Sequence, residues 1–338
     1  MFNKYYAFFK KNIKENLFYI ITIIVFLVIT FYPLDYYIFT GGGISNIDSR
    51  IKVENGYKTN GSYNLSYVTQ VKGNIINYLL SYVMPNWERD KVSDYKYDES
   101  DNLEDLKFRD DLDLKQANAN AVKTAYILAG SDYKLKSRSF YVISIYSRDG
   151  NNFKVGDKLL ELDNKKINSL EDVKNIINIS SKDYLDATVL RDKREVHFKA
   201  KLYNYKKRKV IGVIVNELDS YSVNPKVKIK FNSNESGPSA GFMTTLFIYD
   251  SLTKYDYTRG LKIAGTGTIS SNGYVGPIGG VKYKLLGAVN SHADIFFVPS
   301  GNNYKEAVKI KKKRKLKIKI VKVEKAEDAI NYLKKYSK

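Results

Sequence analysis

The stretch Val227–Tyr249, which reads VKIKFNSNESGPSAGFMTTLFIY, predicts a strand, a tight turn and a helix in immediate succession. Apolar residues alternate with lysines over 227–231, as in a strand with one buried face. Pro238 suits the first turn of a helix, because its missing N–H group would have no partner there anyway. Ala240–Tyr249 is mostly apolar and predicts a buried helix. A strand that passes through a glycine-containing turn into a buried helix is typical of an α/β domain.

The start of this helix carries a candidate nucleophile, Ser239. It lies among backbone N–H groups that have no helical partner and at the positive end of the helix dipole, where an oxyanion can be stabilised. Gly237, Pro238 and Ala240 complete a turn that a substrate backbone can approach, since its side chains are small or compact. Helix capping is the commoner role of a serine in such a turn, so the residues alone leave both roles open.

A serine nucleophile needs a base, and the chain offers few. Its only histidines are His197 and His292, and it has no cysteine, which excludes disulfides, thiolate metal sites and a cysteine nucleophile. A buried lysine is the other option, because burial lowers the amine pKa and leaves a neutral base. Lys282 and Lys284 both border an apolar helical stripe, and spacing does not choose between them. The ordinary alternative for either is a surface lysine with its charge in water.

Three runs in the C-terminal part resemble the proteolytic domain of Lon proteases and follow in the same order. They are SGPSAGFMTTLFIYDSL at 236–252, IAGTGTISSNGYVGPIGGVKYKLLGA at 263–288 and ADIFFVPSGN at 293–302. The resemblance covers about 206–338.

That family uses a Ser-Lys dyad. By resemblance Ser239 is the nucleophile, Lys284 is the general base, and Thr266 supports the dyad by orienting the lysine. Ser236 and Thr268 depart from Lon, which has acidic residues at these two positions. The resemblance implies an α/β proteolytic domain over 205–338, no cofactor, no metal ion and a homo-oligomeric ring.

The N-terminal part predicts a membrane anchor. No charged residue occurs in Asn16–Leu34, and a helix of roughly 19 residues would span about 28 Å, close to the thickness of a bilayer core. We therefore expect a transmembrane signal anchor at 16–38. The lysines in 1–15 predict a cytoplasmic tail and extracellular C-terminal domains. A cleaved signal peptide and a buried core helix are the alternatives.

Between these parts the sequence predicts a juxtamembrane region of mixed α/β structure at 39–132 and a second domain at 133–204. The run VGDKLLELDNKKINSLEDVKNII at 155–177 resembles PDZ domains of bacterial proteases. Such domains add a peptide as an extra strand, so Tyr141, Val142 and Ile143 are the expected peptide groove. A G-L-G-F-like loop is not written here, which leaves C-terminal recognition open, and a small α+β spacer is the alternative.

The charge is strongly basic, with 56 Lys and Arg against 36 Asp and Glu. Such a balance favours polyanions or anionic membranes without selecting one. We expect no nucleic-acid partner for the basic run 309–325, because base-reading and aromatic-stacking motifs are missing. Lys315, Lys317 and Lys319 alternate with Leu316, Ile318 and Ile320, as on the charged outer face of a half-buried strand. A P-loop sequence is not present, which excludes a P-loop ATPase within this chain.

Together these features predict a multidomain protein of α/β and α+β class with an N-terminal transmembrane helix. The order of domains resembles that of membrane-anchored, PDZ-containing Lon-like proteases of Gram-positive bacteria. The expected function is an ATP-independent serine endopeptidase of the cell membrane that cleaves exported or membrane-associated proteins, with the PDZ-like domain selecting or gating the substrate. The alternatives are a catalytically idle surface adaptor that binds peptides and a polyanion-binding surface protein.

Overall fold

Helices and strands alternate along the chain, in agreement with the expected mixture of α and β structure. The computed structural model describes residues 2–146, 151–206 and 208–336. The expected PDZ-like range includes 147–150, and the expected Lon-like range includes 207, 337 and 338, all of which lie outside the described residues.

The helices are α1 Phe2–Glu15, α2 Leu17–Phe31, α3 Ile75–Val83, α4 Leu103–Ala129, α5 Leu170–Ile179, α6 Gly241–Leu252, α7 Val281–Asn290, α8 Asn302–Arg314 and α9 Ala326–Lys335. The strands are β1 Pro33–Asn46, β2 Ile51–Val53, β3 Ser62–Asn74, β4 Glu88–Lys91, β5 Asp132–Ile145, β6 Lys158–Leu162, β7 Lys165–Lys166, β8 Tyr184–Arg191, β9 Arg194–Lys201, β10 Tyr203–Tyr205, β11 Arg208–Val210, β12 Val213–Asn224, β13 Val227–Ile229, β14 Lys262–Gly265, β15 Thr268–Ile269, β16 Val275–Gly276, β17 Ile295–Pro299 and β18 Lys319–Val323.

The chain divides into two compact units, and the boundary falls within β1 and β3. The smaller unit comprises residues up to 41 and 68–95, and it holds α1, α2, α3 and β4. In it β4 pairs antiparallel with the first half of β1. The Arg89 guanidinium lies 3.7 Å from the Tyr82 ring centroid, so a cation–π contact joins β4 to α3.

The expected transmembrane helix at 16–38 is wrong. The apolar helix α2 has 15 residues, which is about 22 Å against a bilayer core of about 30 Å. It ends at Phe31 because Pro33 pushes Tyr32 into an extended conformation, and β1 begins there. In the parts of the chain that the structure describes, no helix combines the length and apolarity needed to cross a bilayer. This finding contradicts both the N-terminal anchor and the expected localisation as a single-pass membrane protein.

The larger unit is built on a parallel sheet in the order β18-β17-β14-β3. Parallel strands are usually covered on both faces, and here successive residues enter two different apolar cores. On one face Ile263 and Phe297 pack with α6 and α9. On the other face Ala264 and Phe296 pack with α7 and α8. The strands therefore end together at one edge between the two helical layers, the usual place for a site in such folds.

A second, antiparallel sheet has the order β12-β5-β6-β8-β9 and packs against α5. We call this part the antiparallel domain. Ser169 caps α5 by accepting a hydrogen bond from the Asp172 backbone N–H, and the Asp172 carboxylate accepts one from the Ser169 backbone N–H. This capping box fixes the start of α5 at Ser169.

Helix α4 lies against both sheets of the larger unit. It begins at Leu103 under a capping box made by Asn102 and ends before Gly130, which adopts a positive φ of 65°. The Arg109 Nε atom donates to the Ile143 carbonyl of β5 at 2.6 Å, while the carbonyl of the next residue, Asp110, accepts from the backbone N–H of Gly237 at 3.2 Å. Successive residues of α4 are thus bonded to the antiparallel domain and to the turn before α6.

Candidate active site

The turn that carries Ser239 is a single 3-10 turn, Pro238–Ala240, which runs directly into α6. Gly237 precedes it with a φ of 82°, a conformation that suits glycine because it has no Cβ. The Gly267 N–H donates to the Ser239 carbonyl at 3.0 Å, and the Phe242 N–H donates to the Gly267 carbonyl at 3.1 Å. This reciprocal pair attaches the Ser239 turn to the segment that follows β14.

Thr266 lies at the carboxyl end of β14 and is fully buried. Its hydroxyl donates to the Ser239 carbonyl at 3.3 Å, and its N–H donates to the Phe297 carbonyl of β17 at 3.1 Å. The structure therefore brings Thr266 and Ser239 together through the serine backbone. Thr266 thus holds the Ser239 turn in place. This role is additional to the orienting of the lysine that the resemblance predicts for Thr266.

The amides of the turn differ in what they can offer an oxyanion. The Gly237 N–H is engaged with Asp110, the Gly241 N–H donates to the Pro238 carbonyl, and proline has no N–H. Ser239 and Ala240 occupy the first turn, where backbone N–H groups have no partner within the helix. Of the residues expected to form the oxyanion turn, Gly237 and Pro238 thus have no N–H group left to donate, and Ala240 and Ser239 remain as candidate donors.

Burial distinguishes Lys284 from Lys282, which their spacing in the sequence could not do. Lys284 lies in the first half of α7 and is 5% exposed, whereas Lys282 is partly exposed, with its Nζ atom 5.3 Å from the Tyr283 ring centroid. Burial lowers the pKa of the Lys284 amine from its ordinary 10.5 to about 8. An appreciable fraction of this amine is therefore neutral near pH 8, as a general base requires.

Both histidines lie on the exposed surface. His197 is on β9, with Nδ1 3.0 Å from the Thr188 hydroxyl in the antiparallel domain. His292 follows α7 with a φ of 55°, which agrees with its interpretation as a turn residue. Of the candidate bases, Lys284 is thus the one that is buried, and it lies beside the carboxyl edge of the sheet.

A close approach of backbone to backbone positions α7. A Cβ on Gly42 of β1 would lie 2.5 Å from the Tyr283 carbonyl oxygen and 2.6 Å from the Tyr67 carbonyl oxygen. A Cβ on Gly287 would lie 2.6 Å from the Gly43 nitrogen. The link between these glycines and the site cannot be seen in the sequence, because it depends on contacts over more than 200 residues. The signal for them was the run Gly41-Gly42-Gly43, since strand glycines mark places where another backbone comes close.

We expect Gly42→Ala to disturb α7 and the lysine it carries. The added methyl group meets backbone atoms that no rotamer change can move, so the free energy of unfolding should fall by about 2–3 kcal/mol. Thermal unfolding and peptidase turnover measure the two effects. Gly279→Ala, just before α7, is the matched control because its Cβ would meet nothing within 4 Å. Equal behaviour of the two variants would contradict the role given to Gly42.

The expected groove residues Tyr141, Val142 and Ile143 lie inside the antiparallel sheet. Tyr141 pairs with Asn216 of β12 on one side and with Lys158 of β6 on the other. The Val142 N–H donates to a carbonyl of the loop before β6, and the Ile143 carbonyl accepts from α4. The open edge on this side belongs to β12, which among the described strands of this sheet pairs with β5 alone.

Part of the chain is similar to a known protein family. Residues 227–335 match the family model of the Lon protease (S16) C-terminal proteolytic domain. A Lon protease from Trichlorobacter lovleyi is 35% identical over 96 residues, which are 28% of this chain and 11% of that protein. The match supports a serine peptidase.

A solved structure is similar to part of this chain. The PDZ domain of an SdrC-like protein from Listeria monocytogenes aligns with 24% of this chain and 92% of its own length, at 20% identity and a TM-score of 0.22.

Proposed function

We propose that this chain is a serine endopeptidase with Ser239 as nucleophile and Lys284 as general base. The observation that carries the proposal is the burial of Lys284 in the layer beside the strand that holds the Ser239 turn. A surface lysine would be charged at neutral pH and unable to accept a proton. The chain has no P-loop sequence, so we propose that the hydrolysis is independent of ATP.

In the proposed mechanism, the neutral Nζ of Lys284 takes the proton of Ser239 Oγ as Oγ bonds to the peptide carbonyl carbon. The Ser239 and Ala240 N–H groups stabilise the resulting oxyanion. The lysine ammonium then gives its proton to the leaving amine, and the C–N bond breaks. In the second half, neutral Lys284 takes a proton from water as the water oxygen bonds to the acyl carbon. The C–Oγ bond then breaks, and the lysine ammonium returns its proton to Ser239 Oγ.

We propose that the antiparallel domain binds an extended segment of the protein substrate at the open edge of β12. Val213 and Val215 of β12 share a core with Ile176 of α5, so the strand edge and the helix lie side by side. A peptide that pairs with β12 would extend the sheet by one strand. Tyr141, Val142 and Ile143 would then lie one strand inside the binding edge and support it.

A serine-directed fluorophosphonate probe tests the nucleophile directly. At pH 8 to 9 we expect the wild-type chain to be labelled on Ser239 and Ser239→Ala to remain unlabelled with unchanged thermal unfolding. Ser236→Ala, which changes an exposed serine three positions earlier, is the matched control and should be labelled as wild type is. Absence of labelling and of casein cleavage over this pH range, with peptide binding retained, would instead support the idle adaptor.

A further inference from the structure

The hydroxyl of Ser66 has no role in the mechanism proposed above. The residue is 5% exposed, and among the described residues its Oγ atom has no hydrogen-bond partner. Leaving a buried hydroxyl unpaired costs free energy, so such groups usually have a function that explains them. Ser66 lies on β3, in the sheet whose edge holds the Ser239 turn.

The strand register places Ser66 beside Thr266. Strands β3 and β14 are parallel, and Leu65 pairs with Gly265 at the last position of β14. The next residues along the two strands are Ser66 and Thr266, so their backbones are neighbours at about 4.8 Å. Ser66 thus reaches the same carboxyl edge of the sheet as the residue that binds the Ser239 carbonyl.

The side chain of Ser66 is on the face covered by α7. Leu65 packs into the core that contains α6, and successive side chains of a strand point to opposite faces. Ala264, which pairs with Asn64 two positions before Ser66, packs into the other core together with Val281 and Leu285 of α7. The Ser66 hydroxyl therefore faces the layer that carries Lys284.

The glycine at position 42 gives a third, independent link. The same Cβ position on Gly42 is close to the carbonyl of Tyr67 and to the carbonyl of Tyr283. Tyr67 directly follows Ser66, and Tyr283 directly precedes Lys284. The two backbones that carry the hydroxyl and the amine thus meet at one glycine.

We propose that Ser66 is a positioning residue whose hydroxyl, which has no partner among the described residues, accepts a hydrogen bond from the Lys284 amine when the amine turns towards Ser239. This inference rests on the proposed function. A neutral amine has two N–H groups and one lone pair. If its N–H groups are held by the hydroxyls of Ser66 and Thr266, its lone pair is directed at the proton of Ser239 Oγ.

The test compares pH profiles of fluorescent casein cleavage by the full chain. With Ser66→Ala we expect kcat to fall about 10-fold with KM within about twofold, since the hydrogen bond directs the amine rather than binding substrate. An acceptor also stabilises the ammonium form, so its loss should lower the pKa of Lys284 and move the rising limb of kcat/KM to lower pH by about half a unit. Ser66→Thr keeps the hydroxyl and should recover most of kcat.

Ser62→Ala is the matched control, because it removes a serine hydroxyl from the same face of the same strand, four residues earlier at the start of β3. This variant should have the same kcat as the wild type and the same rising limb of kcat/KM. A Ser66→Ala profile equal to that of wild type would overturn the inference. A shift of the rising limb of kcat/KM to higher pH would overturn the inference as well. Such a shift would mean that water enters the site and raises the pKa of Lys284. Activity that survives Ser239→Ala would instead refute the proposed function itself.

Discussion

Lys284→Met should abolish peptide hydrolysis, with a loss in kcat of about 10³-fold or more, while making the protein more stable at pH 6 to 7. The loss follows because no other group would accept the proton of Ser239 Oγ, and removal of a catalytic base that activates a nucleophile typically has effects of this size. Methionine is unbranched and apolar and occupies nearly the same volume, so the core around α7 should remain packed.

The gain in stability follows from linkage. The pKa of Lys284 is lowered by burial from 10.5 to about 8, which corresponds to about 3 kcal/mol. At pH 6 to 7 the lysine is protonated in the folded and the unfolded chain, so the folded state bears the whole cost of burying the charge. The cost disappears as the pH rises from about 8 towards 10.5, because only the unfolded chain remains protonated there. The advantage of Lys284→Met over wild type should therefore shrink over that range.

Urea unfolding at several pH values and casein cleavage measure the two effects together. In the wild type we expect kcat/KM to fall about tenfold for each pH unit below the pKa of about 8. Lys282→Met is the matched control, since it removes a partly exposed lysine from the same helix, and it should retain most of the activity. If Lys282→Met is inactive and Lys284→Met is active, the assignment of the base is wrong.

A fragment of residues 205–338 should fail to fold, although it contains the whole range that matches the Lon proteolytic domain. Much of its apolar core comes from earlier in the chain. The buried core residues that it would lack are Ile47, Ile51, Tyr63, Leu65, Ala121, Val122, Ala125 and Tyr126. At about 1.5–3 kcal/mol for each of the six large side chains, the loss is comparable with the 5–15 kcal/mol that stabilises a typical domain. Circular dichroism and thermal unfolding check this, and a cooperative transition would contradict it.

A shortened chain provides the matched control. Tyr133 of β5 pairs with Val223 of β12, so an Asn-Gly turn can join these two residues in place of 134–222. This variant lacks the antiparallel domain but keeps β3, α4 and the Ser239 turn, and it should unfold cooperatively and react with the serine probe. Failure of this variant to fold would show that the parallel-sheet core needs the antiparallel domain.

The local pattern around the site was well predicted because it depends on neighbours in sequence. The helix after Pro238 is α6, and Ser169 caps α5 as its spacing to Asp172 implies. The choice between Lys282 and Lys284 required the fold, because only packing against the sheet shows which of them is buried. In the basic run 309–325, the alternation at 315–320 predicted a strand, and the structure has β18 at Lys319–Val323, after α8 ends at Arg314.

The errors have both local and distant causes. Apolarity predicted an anchor at 16–38, yet the helix is cut short at Phe31 by the onset of β1. The acidic segment before Leu114 carried no apolar run, but it forms the first half of α4, with Asp101 paired to Arg109 and both residues buried. The partner of β14 is β3, almost 200 residues earlier, and no local pattern indicates that pairing.

The contact of Gly42 and Gly43 with α7 has a consequence for how steadily the lysine is held. Side chains change rotamer within nanoseconds, but main-chain atoms in direct contact have no such freedom. The distance between β1 and α7 is therefore set by backbone atoms. Mutations of the surrounding side chains should leave this distance nearly unchanged. The position of the Lys284 amine is thus set partly by Gly42 and Gly43, which have no reactive side chain.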